Sequence, residues 1–206
     1  MRFATPARRL LTAGALTAAL LAGGGTATAG PGQPAPATRA TAPMGPYGQL
    51  RPLADLSAQR LATADLVAAA KYGTDSPIDD PAREREVLAA VAEQAAEAGA
   101  DPAATVRIFR DQIEANKVVQ RGLFRRWDAD PSGAPTERPD LGEVRKEINR
   151  VNGELVRGIA ASPGARTAPY CGGALTVAAV HVRHADRLDA LHSVALGRAL
   201  ASVCAD

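Results

Sequence analysis

Aromatic residues are scarce in this chain, with three Phe, three Tyr and one Trp among 206 residues. A nucleic-acid binder needs stacking rings and a basic surface, and the sequence offers neither. It contains no phosphate loop, no dinucleotide fingerprint and no ordered Ser/His/Asp set. Long apolar runs are also missing. The run Leu10 to Ala22 is too short to span a bilayer comfortably, and no second run follows it. No alternating strand pattern or hairpin signal appears, which excludes a β architecture. Histidine is limited to three residues. His181 and His184 have a spacing that zinc can use, but exposed helical histidines are the commoner reading, and no metal is expected.

The first 29 residues read as an export signal. Arg2, Arg8 and Arg9 supply the positive start, Leu10 to Ala22 the apolar segment, and Ala27-Thr28-Ala29 the small-x-small cleavage site. The residues after Arg8-Arg9 fit a twin-arginine signal poorly, so ordinary secretion is expected. No cysteine near the cleavage site suggests a lipid anchor. Cleavage near Ala29 would remove three arginines and no acids, taking the formal charge from +2 to −1. The mature chain is expected in the periplasm or outside the cell, with no membrane attachment. Residues 30–50, rich in Pro, Gly, Ala and Thr, read as a disordered leader. Residues 51–206 have the length for one domain with a substantial core.

That domain reads as all-α, a single helical bundle of about six helices. The first covers about Leu53 to Tyr72 and ends at Gly73. Arg60 and Lys71 are eleven residues apart, about three turns, so both point to one side beside Ala64 and Val67. Asp80-Pro81 starts the second helix, with Gly99 at its C′ position. Asp80, Arg83, Glu84 and Val87 share one face of it. A local reading, an N-cap with surface ion pairs of little energy, accounts for these charges equally well. A fourth helix opens at Asp140-Leu-Gly-Glu143, which looks like a capping box. Its seam is Leu141, Val144, Ile148, Val151, Leu155 and Ile159, with Arg145 leaning over it. Residues 128–140 and 162–169 read as loops.

The third helix, Asp101 to Trp127, organises the rest. Its stripe of Phe109, Ile113, Asn116, Gln120, Leu123 and Trp127 places two neutral amides in an apolar seam. An unsatisfied amide there would cost roughly 1–3 kcal/mol. Either the pair bonds a neighbouring helix and fixes register, or it faces a polar ligand held between helices. Cys171 and Cys204 bracket a C-terminal helical hairpin. Two cysteines in an exported protein favour pairing, and a catalytic cysteine is the alternative.

Cations pointed inward on several helices, with no nucleophile, suggest an enzyme that binds a dianion without attacking it. The ordered set of Arg60 and Lys71, Asp80-x-x-Arg83-Glu84, Phe109 through Gln120, Arg145 and the two cysteines resembles the all-helical (AroQ-type) chorismate mutases. Within them it is similar to the secreted gamma subclass. The resemblance implies chorismate as substrate, prephenate as product, no cofactor, and a homodimer. It also implies that Arg60, Arg83 and Arg145 bind the two carboxylates, with Asn116 near one of them. Lys71 would contact both a carboxylate and the ether oxygen, Gln120 would be the second donor to that oxygen, and Asp80 and Glu84 would approach the ring hydroxyl. Val87 stands where secreted relatives carry a polar residue, which shifts weight to Glu84. A secreted helical-bundle protein that binds a small acidic ligand without turnover is the competing expectation.

Overall fold

Aspartate side chains start most of the long helices. The computed structural model describes residues 45–204, so the export signal and the leader as far as residue 44 lie outside the described residues. Among those described are seven α-helices and no strand, in the order α1 (Pro46–Lys71), α2 (Pro81–Glu97), α3 (Pro102–Ala129), α4 (Leu141–Ala160), α5 (Pro163–Thr167), α6 (Cys171–Ala185) and α7 (Ala190–Ala199). Asp80, Asp101, Asp140 and Asp189 each accept a backbone N–H of the first turn, as N-caps do. The capping box at Asp140 is half formed. Asp140 takes the Glu143 N–H at 2.9 Å, but the Glu143 carboxylate pairs with Lys146 instead. At the other end of α2, Gly99 has φ +74°, and the N–H groups of Gly99 and Ala100 close on Ala96 and Ala95. That is a Schellman closure, which needs a residue without a Cβ at this position.

The structure departs from expectation in three places. Helix α1 begins at Pro46, inside the stretch read as leader, and runs through Pro52. An interior proline costs about 3 kcal/mol. Full burial of Leu50 one turn from the helix start, at roughly 1.5–3 kcal/mol, offsets most of that. The extra helix, α5, lies in the expected loop after Ser162. Proline at its first position needs no N–H partner, and buried Arg166 ties it to the C-terminus by donating Nε to the Val203 carbonyl at 2.9 Å. The loop after α3 also contains a single 3-10 turn, Pro131–Gly133.

Helices α1 and α3 pack together and carry the others. α4 and α6 lie against α1, α2 and α7 against α3, and α2 also meets α4. The core joins Leu50 and Leu53 of α1, Ile108, Phe109 and Val119 of α3, Leu155 and Ile159 of α4, and Leu196 of α7, all under 2 % exposed. Inside it, Gln112 Nε2 donates to Ser57 Oγ at 2.7 Å and to the Ala199 carbonyl at 3.1 Å, pinning α1, α3 and α7 together. Tyr72 packs edge-on against Phe124 and Trp127 at 5.2 and 5.0 Å, and its hydroxyl donates to Asp128. That contact fixes the end of α1 next to Lys71. The expected C-terminal hairpin is only loosely a hairpin, because α6 rests on α1 and α7 on α3 more than on each other. The Cys171–Cys204 disulfide, with Cα atoms 5.8 Å apart, joins the two. No helix among the described residues is long and apolar enough to cross a membrane.

Candidate active site

Four helices leave a cavity between α1, α2, α3 and α4. Every residue singled out from the sequence for substrate contact lines it: Arg60 and Lys71 from α1, Arg83 and Glu84 from α2 with its cap Asp80, Asn116 and Gln120 from α3, and Arg145 from α4. Helical spacing accounts for the convergence. Residues three, four, seven or eleven apart share a face, and each of these faces is turned to the same gap. Val67, Ile78, Val87, Ile113, Leu141 and Ile148 supply the apolar wall. Leu141 and Ile148 of the α4 seam are thus only half-buried, while Val144, Val151, Leu155 and Ile159 are buried.

Arg60 is the most constrained cation. It is 5 % exposed, donating Nε to Asn152 Oδ1 at 2.8 Å and Nη1 to the Gln112 carbonyl at 2.9 Å, with its carbon Cζ 5.9 Å from the Phe109 ring centre. Burial pulls its guanidinium down to about 10, still charged at neutral pH. Arg83, on α2, donates Nη1 to Glu86 Oε2 at 2.8 Å. Lys71 Nζ donates to the Pro77 carbonyl at 2.7 Å and has two further N–H bonds to give. Burial lowers its pKa, Asp80 opposes that, and Arg145 adds to the lowering.

The two amides of α3 bond each other and no neighbouring helix, Gln120 Nε2 donating to Asn116 Oδ1 at 2.7 Å. Gln120 Oε1 is buried without a partner. Gln120 Nε2 keeps a second N–H beyond the one given to Asn116.

Two residues escaped the sequence reading. Lys117 also lines the cavity, its Nζ 3.1 Å from Glu84, 3.3 Å from Asp79 and 2.5 Å from Glu114. Asn152 holds Arg60 from α4. Of the five cations at the cavity wall, Arg83 and Lys117 are paired with carboxylates, while Arg60, Lys71 and Arg145 make no ion pair among the described residues, a surplus suited to a small dianion.

A family model described as chorismate mutase type II matches residues 51–121. A secreted chorismate mutase of Mycolicibacterium smegmatis is 40% identical over 155 residues, 75% of this chain and 86% of that protein. The chain belongs to the chorismate mutase family. A secreted chorismate mutase of Mycobacterium tuberculosis is 35% identical over 170 residues, covering 79% of this chain and 85% of its own length. The crystal structure of the chorismate mutase from Burkholderia phymatum superimposes with a TM-score of 0.74 at 34% identity, covering 78% of this chain and 99% of that one. The family-model match takes in seven of the eight cavity residues named above and stops at α3, short of Arg145.

The chorismate mutase fold here is all-α, and its two cysteines are joined, which leaves neither as a free thiol. None of its three histidines lines this cavity. His192 is held between Asp189 at 2.7 Å and Asp65 at 3.0 Å, where it links α7 to α1.

Proposed function

We propose that this chorismate mutase binds chorismate in the four-helix cavity and converts it to prephenate by an intramolecular [3,3] rearrangement. The observation that carries this reading is the convergence of Arg60, Lys71, Arg83 and Arg145 on one cavity with the Asn116–Gln120 pair. The reaction moves no proton and forms no bond to the protein, so positioning and electrostatics supply the rate. Arg60, Arg83 and Arg145 hold the two carboxylates, a task that planar guanidinium groups suit. Asn116 lies near one of these carboxylates. Asp80 and Glu84 approach the ring hydroxyl, Glu84 as its acceptor. Lys71 and Gln120 donate to the ether oxygen as negative charge grows there, and each such donor is typically worth about 10²–10³ in rate. No residue role calls for a cofactor. The enzyme acts outside the cytoplasm after signal cleavage, as a homodimer.

Lys71→Ala tests the assignment. The variant should stay folded and still bind chorismate, with turnover lost. Retained turnover in the folded variant would remove the mutase site from this cavity. Binding without turnover by the unaltered protein would favour a carrier of a small acidic ligand instead.

A further inference from the structure

Lys117 is a cation at the cavity wall that none of the substrate contacts above employs. It is 8 % exposed and follows Asn116 directly on α3. Its ammonium meets carboxylates from two directions: Glu84 and Asp79 at the start of α2, and Glu114 on its own helix. Asp79 is in turn gripped by Arg121, whose Nη2 donates to both of its oxygens at 2.7 and 2.8 Å. The three acids therefore converge on one nearly buried nitrogen. Burial opposes its charge, but the hydrogen bonds to Glu114, Glu84 and Asp79 outweigh that and raise its pKa.

Only Glu84 among those acids lines the cavity. Lys117 engages its Oε1, and Oε2 makes no hydrogen bond among the described residues. A carboxylate standing free at this wall would repel a dianionic guest and would choose among several rotamers. Lys117 eases both difficulties. It holds Glu84 Oε1 and, shared with Glu114 and Asp79, offsets part of the Glu84 charge, leaving one oxygen able to accept a hydroxyl.

We propose that Lys117 is a positioning residue of the chorismate site, acting through Glu84 to orient that carboxylate and offset its charge beside a dianionic substrate. This deepens the proposed function and rests on its placing of Glu84 against the substrate. Asp79 and Arg121 complete the device by anchoring Lys117 and the start of α2 to α3.

The test is a cycle of Lys117→Met, Glu84→Gln and the double variant, with Lys117→Gln as a second uncharged replacement and Lys117→Arg as the conservative one. Steady-state kcat and KM for chorismate are measured at neutral pH alongside the melting curve. A charge-assisted hydrogen bond lost to a neighbour that stays charged is worth about a tenfold to hundredfold change. In folded Lys117→Met, KM should rise by about tenfold or more, with partial rescue in Lys117→Arg. The rise should shrink to less than about threefold in the Glu84→Gln background, where no charge needs offsetting. An equal KM penalty with Glu84 and with Gln at position 84 would overturn the proposal, since Lys117 would then act independently of that carboxylate. Unchanged KM in both uncharged Lys117 variants would overturn it as well. Failure of the underlying reading looks different: Glu84→Gln alone would leave kcat and KM unaltered while Lys117→Met still raised KM.

Discussion

Replacing Gln120 by glutamate should turn a nearly pH-independent enzyme into an acid-active one. Gln120 is 4 % exposed and its amide sits 2.7 Å from Asn116 Oδ1. A glutamic acid there keeps one O–H to donate while protonated. Once ionised it has none, and its oxygen faces both the Asn116 oxygen and the negative charge growing on the ether. The lost donor alone predicts a fall of about 10²–10³ in rate. Burial and the Asn116 oxygen favour the neutral acid, while Lys71 and the arginines favour the ionised form. The assay is kcat/KM against pH for both proteins. The ratio of variant to wild type isolates the new carboxyl. That ratio should be highest in acid and drop about tenfold per pH unit above the carboxyl's pKa until it levels off. Wild-type activity should stay nearly flat where a glutamate titrates, around or somewhat above pH 4.3. A pH-independent ratio would mean that Gln120 does not touch the reacting oxygen.

Two further outcomes test the scaffold. Reducing Cys171–Cys204, which closes a separation of 33 residues, should cost roughly 3–4 kcal/mol and lower Tm by roughly 10 °C, while initial rates at low temperature stay intact. Loss of rate in still-folded reduced protein treated with a thiol reagent would give the cysteines a chemical role. His192 should make stability fall in alkali. Hydrogen bonding to Asp65 raises its pKa, burial opposes, and bonding to Asp189 adds, for a value pushed up from 6.5 to about 9. The raised pKa means the stabilisation is complete below about pH 6.5 and is lost as pH rises through about 9. With both carboxylates about half exposed, solvent screening limits it to about 1 kcal/mol. Denaturant titrations at pH 6 and pH 10 should show that loss in wild type and not in His192→Gln.

The site was legible where one helix face carried it. Arg60 with Lys71, Asp80 with Arg83 and Glu84, and Asn116 with Gln120 each obey helical spacing, so their convergence needed only that the faces meet. Lys117 was not legible, because it lies about 100° around α3 from Asn116. Its partners Asp79 and Glu84 come from the start of α2, more than thirty residues earlier in the chain. Asn152 was hidden for a related reason, since its partner Arg60 is 92 residues away. Gln112 and Asp111 lie off the stripe Phe109, Ile113, Asn116, Gln120, Leu123 and Trp127, yet both are buried because α3 is covered on several sides, Asp111 against Arg198. The start of α1 was misplaced because Pro52 reads locally as a breaker, and burial of Leu50 is a tertiary effect. Asp-Pro starts and glycine ends were read correctly because capping is settled within a few residues.

Turnover in the four-helix cavity is measured most directly by following the ultraviolet absorbance of chorismate with the purified mature protein in metal-free buffer. Catalytic loss of that absorbance is expected, with prephenate formed in equal amount, and no loss with Lys71→Ala. Stoichiometric binding of chorismate with its absorbance unchanged would contradict it.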